Sequence, residues 1–108
     1  MFRFDTTSLS INAKPEKVWE YVADIHTSQG DVRVIEKFDR EHLLLDTVCI
    51  VPSGDEQFIP YRVVPNGEGS ELIITNQQTA GVSDAEYAEQ LTWMREELEN
   101  IKKIMEVR

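Results

Sequence analysis

Cysteine is nearly absent: Cys49 is the single one in 108 residues. One thiol closes no internal disulfide, so the fold must rest on its core, and nothing in the cysteine usage points to an oxidising compartment. Histidine is almost as scarce, with only His26 and His42. Long apolar runs are missing too. The longest, Leu43 to Val51, is broken by Asp46 and Thr47, far short of the roughly 18 apolar residues a membrane span needs. The opening MFRFDTTS lacks the apolar stretch of a signal peptide. Positive charge is in deficit: 11 Lys and Arg stand against 20 Asp and Glu, a net charge of -9. The deficit is even, with 3 basic and 4 acidic side chains in residues 1–30, 4 and 9 in 31–82, and 4 and 7 in 83–108. Phosphate recognition needs clustered cations, and no segment supplies them. Nucleic acid and anionic membranes are therefore poor partners, and the acidity reads as solubility. These absences predict a cytoplasmic protein.

The 5 Gly and 4 Pro are scattered, with no linker, repeat or low-complexity segment, so 1–108 reads as one domain. At this length a core forms without metals or disulfides.

Apolar periodicity divides the chain. Residues 2–11 read as a strand, but Phe2 and Phe4 have one parity and Leu9 and Ile11 the other. Strict alternation would place the two pairs on opposite faces, which predicts a twist or bulge near Asp5 to Ser8. Pro15 opens a helix where its missing N–H costs nothing. Val18, Val22 and Ile25 recur in it at helical spacing, with Trp19 and Ala23 beside them; the helix is expected to end near Asp24 to His26, with HTSQGD a loop. Four strands follow, at about 32–38, 43–51, 57–64 and 71–78. Short turn-rich connections make neighbours antiparallel hairpins. Pro60 and Pro65 suit a strand edge or end. Ser83 to Glu86 forms a capping box. Behind it Tyr87, Leu91, Met94, Leu98, Ile101 and Met105 repeat at 4, 3, 4, 3, 4 and make one stripe of a long helix over 83–108. Trp93 and Ile104 lie about 100° to one side of it; Arg95, Glu99 and Lys102 occupy the solvated face. Segregated strands and helices predict α+β, an antiparallel sheet covered on one face by helices.

Three stretches carry a resemblance to the START-like (SRPBCC) superfamily, in its branch of polyketide cyclases and heat-shock-chaperone ATPase activator homologues. SLSINAKPEKVWEYVAD, residues 8–24, resembles the opening strand, proline and Val-Trp helix. GEGSELIITN, 67–76, resembles a late strand, with Ser70 where Thr is usual. QLTWMREELENIKKIME, 90–106, resembles the last-helix pattern of Trp, three residues, then Leu. The resemblance implies a helix-grip fold, in which a curved antiparallel sheet wraps a long C-terminal helix over an apolar cavity. Relatives carry a second short helix and two more strands before the strand at 32–38. Here HTSQG alone fills that interval, so the implied grip has a reduced strand number, and closure of its cavity is left open.

Individual residues offer little chemistry. His26 and His42 sit in polar segments, 16 positions apart, where a solvated imidazole is the ordinary state; a metal site needs three or more converging ligands. Cys49 lies in an apolar strand with no base beside it, the setting of an inert thiol. Gly67-x-Gly69 lies between two strands and is a hairpin turn; a phosphate loop would open a helix. No catalytic residue, metal ligand or cofactor is assigned. By parity Ile59, Tyr61 and Val63 share one face, as do Leu72, Ile74 and Asn76, and both sets are taken to face the last helix. Arg62 then points outward. The expected ligand-binding residues are Ile59, Tyr61, Leu72, Ile74, Asn76, Leu91 and Met94, with Tyr61 and Asn76 the polar groups. A register slip of one residue would turn these faces around.

These readings predict a non-enzymatic domain binding a small apolar ligand or metabolite between sheet and C-terminal helix. The alternative is a chaperone-activator-like protein-interaction module. A cyclase-like enzyme ranks third, since no acid–base pair, His dyad or metal cluster can be assembled. Missing strands leave sheet edge and face uncovered, which predicts a two-fold homodimer with Trp93 in or beside the contact.

Overall fold

The computed structural model describes residues 1–28, 34–50 and 54–107, and the side chains of all of these except 26–28, 34–37 and 49. The elements run β1 (Arg3–Ile11), α1 (Pro15–Ser28), β2 (Val34–Asp39), β3 (Leu44–Ile50), β4 (Glu56–Asn66), β5 (Gly69–Gln78) and α2 (Asp84–Val107). Each hairpin of the β2–β5 run pairs antiparallel with its neighbour, and β1 returns to the far side of β5, giving the order β1-β5-β4-β3-β2. Both helices pack against the sheet: α2 along β1 and β5, α1 against β3, β4 and β5. This is the α+β helix-grip arrangement.

Four expectations about local structure need correction. β1 contains no bulge, since its register with β5 is unbroken from Arg3↔Gln78 to Ile11↔Ser70. The parity change is real: Leu9 and Ile11 face the core, while Phe2 and Phe4 project outward, 49% and 56% exposed. The first helix runs on to Ser28, because no Pro or Gly interrupts it before Gly30; the first part of HTSQGD is helical, and the rest lies outside the described residues. Pro60 sits within β4, a central strand of the sheet. It is tolerated because β4 pairs with β3 over Glu56–Arg62 but with β5 only from Tyr61 on, so the ring faces a stretch where the β5 ladder has not begun. Lys102, expected on the solvated face, reaches across to β1, with Nζ donating to Ser10 O at 2.8 Å.

Two turns show their constraints. Gly67 has φ 58°, the left-handed region that suits glycine in the β4–β5 hairpin. A Cβ on Gly69 would lie 2.6 Å from the Ile11 carbonyl oxygen, so the close approach of β1 to this corner requires glycine. Leu43, beside the β2–β3 turn, has φ 55°, a strain of about 1–2 kcal/mol. It is held there by packing on the core and by its carbonyl accepting Val63 N–H at 3.2 Å.

The core joins Val18, Trp19 and Val22 of α1, the inward residues of the strands, and the α2 stripe Tyr87, Leu91, Met94, Leu98, Ile101 and Met105. Ser83 caps α2 reciprocally: its Oγ accepts Glu86 N–H at 3.2 Å and donates to Glu86 Oε1 at 3.0 Å. Trp19 is pinned by Nε1 donating to Leu44 O at 3.0 Å. Phe38 meets its ring edge-on at 6.1 Å, and the Arg40 guanidinium lies 5.0 Å from its centroid. Among the described residues no helix is long and apolar enough to cross a membrane.

Candidate functional site

The inner face of β4 and β5 beneath α2 brings the sequence-predicted residues together. Tyr61, Leu72, Ile74, Asn76, Leu91 and Met94 are buried, and Ile59 is half-buried against the same cluster. Tyr61 and Ile74 are direct cross-strand partners, which fixes the shared face that parity suggested. Arg62 is exposed on the other side. One groove lies elsewhere: an open trough of about 920 Å³ runs between α1, the Arg40 turn and Met105 of α2 and is lined by Lys14, Lys17 and Glu20 among others.

Polar groups enter this apolar face at two places. Near its middle, Tyr61 Oη donates to Glu97 Oε2 at 3.0 Å. Burial pushes the Glu97 carboxyl above its ordinary range, and the Tyr61 hydrogen bond opposes that. At the end where β4 parts from β5, the amide of Gln57 fills the gap. Its Nε2 lies 2.7 Å from Gln90 Oε1, 2.8 Å from Gln77 O and 3.0 Å from Asn76 Oδ1. Asn76 Oδ1 also accepts Gln77 N–H at 2.8 Å. Behind this group Tyr87 Oη donates to Asp5 Oδ2 at 2.9 Å and faces Asn76 O at 3.3 Å. Burial, aided by the Asp5 carboxylate, pushes the Tyr87 phenol up to about 12. Buried Thr47 donates from Oγ1 to Ile59 O across the β3–β4 pair at 2.5 Å.

Gln57, Gln90 and Glu97 were not among the sequence candidates. A signal for each existed. Gln90 and Glu97 stand seven apart, each three or four residues from Met94, so they border the apolar stripe on one flank. Pro60 marks where the β4–β5 ladder must open, and Gln57 has the amide to bridge it.

The remaining candidates behave plainly. His42 Nδ1 lies 2.9 Å from Asp39 Oδ2 on an exposed turn, and that contact holds the Asp39 carboxyl below its ordinary range. The side chains of His26 and Cys49 lie outside the described residues. Among the described residues no three metal-binding side chains converge. Trp93 is 67% exposed and Ile104 40%, on the α2 flank that carries Gln90 and Glu97.

No protein-family model matches the chain, and no curated protein matches it in sequence. Solved structures do match in shape. Ara h 8.0201 superposes with a TM-score of 0.72 at 10% identity, covering 100% of both chains. The Zhui aromatase/cyclase from Streptomyces sp. R1128 gives 0.70 at 13%, covering 100% of this chain and 97% of that one. ChR145 from Cytophaga hutchinsonii gives 0.69 at 16%, covering 96% and 94%. At such identities the likeness concerns the fold, and with the five-stranded sheet gripping a long last helix it settles that fold: the chain has the START/Bet v1-like (SRPBCC) helix-grip architecture.

Proposed function

We propose that the chain binds a small apolar ligand or metabolite between the sheet and α2, without catalysing a reaction on it. The Tyr61–Glu97 pair carries this reading: a hydroxyl and a carboxyl 3.0 Å apart near the middle of a mostly apolar face. Few polar groups in an apolar lining are what orient a small ligand. Ile59, Leu72, Ile74, Leu91 and Met94 supply the apolar contact, and Tyr61 and Asn76 the polar ends. The aromatase/cyclase named above lends the fold a precedent for small-molecule work; the reading for this chain stops at binding. Native mass spectrometry of the purified chain tests it, with a homogeneous extra mass expected. Fluorescence of an apolar dye should rise on the native chain and fail to rise on Ile74→Trp while circular dichroism stays native. Should Ile74→Trp not fold, Leu91→Trp serves instead. Unchanged dye binding in a folded variant removes the reading.

One observation favours a second reading, a protein-interaction module of the chaperone-activator kind. Trp93, a residue type favoured as an interface anchor, stands 67% exposed, and Ile104, 40% exposed, lies three turns further along the same flank. No retained mass and no dye binding would favour it. A two-fold homodimer is compatible with either reading, and the cytoplasm is the compartment we expect on the single-cysteine argument.

A further inference from the structure

Among the described residues β1 has one strand neighbour, β5. Two contacts fix which way its backbone points. The Ser10 carbonyl accepts Lys102 Nζ of α2, a helix group, at 2.8 Å. Gln77, the partner of Phe4, gives its carbonyl to Gln57 on the β4 side. Alternate residues of an antiparallel strand share one direction, so Phe4, Thr6 and Ser8 turn N–H and C=O toward the open edge. Among the described residues, the hydrogen bonds from α2 to the backbone at that end come at Ser10 and Asn12, through Lys102 and through Glu106 Oε2 accepting Asn12 N–H at 2.9 Å, while at the near end Tyr87 meets the side chains of Asp5 and Arg3. Edge strands usually avoid pairing through lysine, proline, a bulge or brevity. β1 is nine residues long without Lys, Pro or bulge, and it carries the exposed Phe4 with Phe2 just before it.

We propose that this edge is the seam of a two-fold homodimer in which β1 of two copies pairs antiparallel about Phe4. It rests on the assembly part of the reading above and is independent of the ligand. Charge complementarity selects the second copy as occupant. Centring on Phe4 sets Arg3 opposite Asp5 of the second copy, twice, on the inner face, where Arg3 Nε already lies 2.9 Å from Asp5 Oδ2 within one chain. Directly opposed unlike charges favour a strand pair, and like charges oppose it. On the outer face Phe4 meets Phe4 of the second copy, with both Phe2 rings diagonal to it. Centring on Thr6 would lose both charge pairs and would need the Ser10 carbonyl that Lys102 holds. The seam excludes Trp93: it precedes Lys102 by nine residues, 900° of helix, and so lies on the opposite flank of α2.

Sedimentation equilibrium and directed cross-linking test the seam. The native chain should be dimeric at tens to hundreds of micromolar. Arg3→Glu, at an exposed position, should weaken the dimer at least tenfold, and Trp93→Glu should leave it unchanged. In a Cys49→Ala background, Phe4→Cys should form an intermolecular disulfide on mild oxidation, because facing residues at a strand pair have Cα atoms about 5.5 Å apart. Ser8→Cys, offset by four residues from the axis, should not. A native monomer overturns the proposal. So does a dimer that Trp93→Glu dissolves, or one in which Ser8→Cys cross-links and Phe4→Cys does not. Dye binding on the same samples reports the ligand reading separately.

Discussion

Leu98→Ala probes whether α2 is held along its length. Leu98 sits mid-stripe and is 1% exposed. Removing three carbons loses about 2.4 kcal/mol of transfer free energy at ~0.8 kcal/mol per group. A residual void of about 50 Å³ would add ~1.2 kcal/mol at ~24 cal/mol per Å³, and full collapse would add nothing. The expected loss is thus about 2.5–3.5 kcal/mol. With an unfolding entropy of about 2.1 cal/mol/K per residue, 108 residues give about 0.23 kcal/mol/K, so the melting temperature should drop by about 11–15 °C. Urea titration read by circular dichroism supplies the free energy directly. Glu99→Ala, one position on and exposed, is the control and should change stability by less than about 0.5 kcal/mol. A Leu98→Ala shift below about 1 kcal/mol would refute the reasoning, because a side chain so enclosed cannot be removed that cheaply without α2 being peripheral.

Burial raises the Glu97 carboxyl above its ordinary 4.5. The native state therefore holds that proton more tightly than the unfolded chain, and the stability this contributes is complete below pH 4.5 and lost as pH climbs through the raised value. Glu97→Gln should flatten that part of the pH–stability curve; an unchanged slope in urea melts between pH 4.5 and 8 would count against the burial. Gly69→Ala should lower the urea midpoint by the equivalent of about 1–3 kcal/mol, since its Cβ would press on the Ile11 backbone; a neutral result would show the corner to be compliant. Ser83→Ala should cost about 1 kcal/mol through loss of the α2 cap, and differential scanning calorimetry that finds no shift would make the cap redundant.

Much of the architecture was legible because the chain changes period where it changes element. The alternation that begins at β2 and the 4-3 spacing of α2 gave both types and order. The register, by contrast, depended on contacts far apart in sequence. Parity at Ile59, Tyr61, Leu72, Ile74 and Asn76 set the inner face correctly, but β1 misled. The parity mismatch of Phe2 and Phe4 with Leu9 and Ile11 points to a twist or bulge only on the premise that all four share a face, and hydrophobicity alone does not say which face is buried. Pro60 was read by the usual rule for prolines in strands, and that rule holds here in a subtler form: the strand is central, yet the ladder on the proline's open side is interrupted. Gln57 lies in that interruption, so the polar cluster sits where the ladder opens, a feature that residue spacing alone does not reveal. Glu97 escaped notice for another reason, as a carboxylate beside an apolar stripe is ordinarily a solvent-facing neighbour.

The pairing of β1 with β5 constrains how the chain can fold while it is being made. Ile11 must find Ser70 and Arg3 must find Gln78, separations of about 60–75 residues, so at ~5–20 residues per second β1 waits roughly 3–15 s for its partner. The β2–β3, β3–β4 and β4–β5 hairpins can close locally in that interval. A nascent strand bearing Phe2, Phe4, Leu9 and Ile11 is meanwhile without a sheet to join. Chaperone engagement, or premature pairing with the same strand of a neighbouring nascent chain, therefore competes at that stage with native closure, and slowing translation before residue 78 should lengthen the window for both.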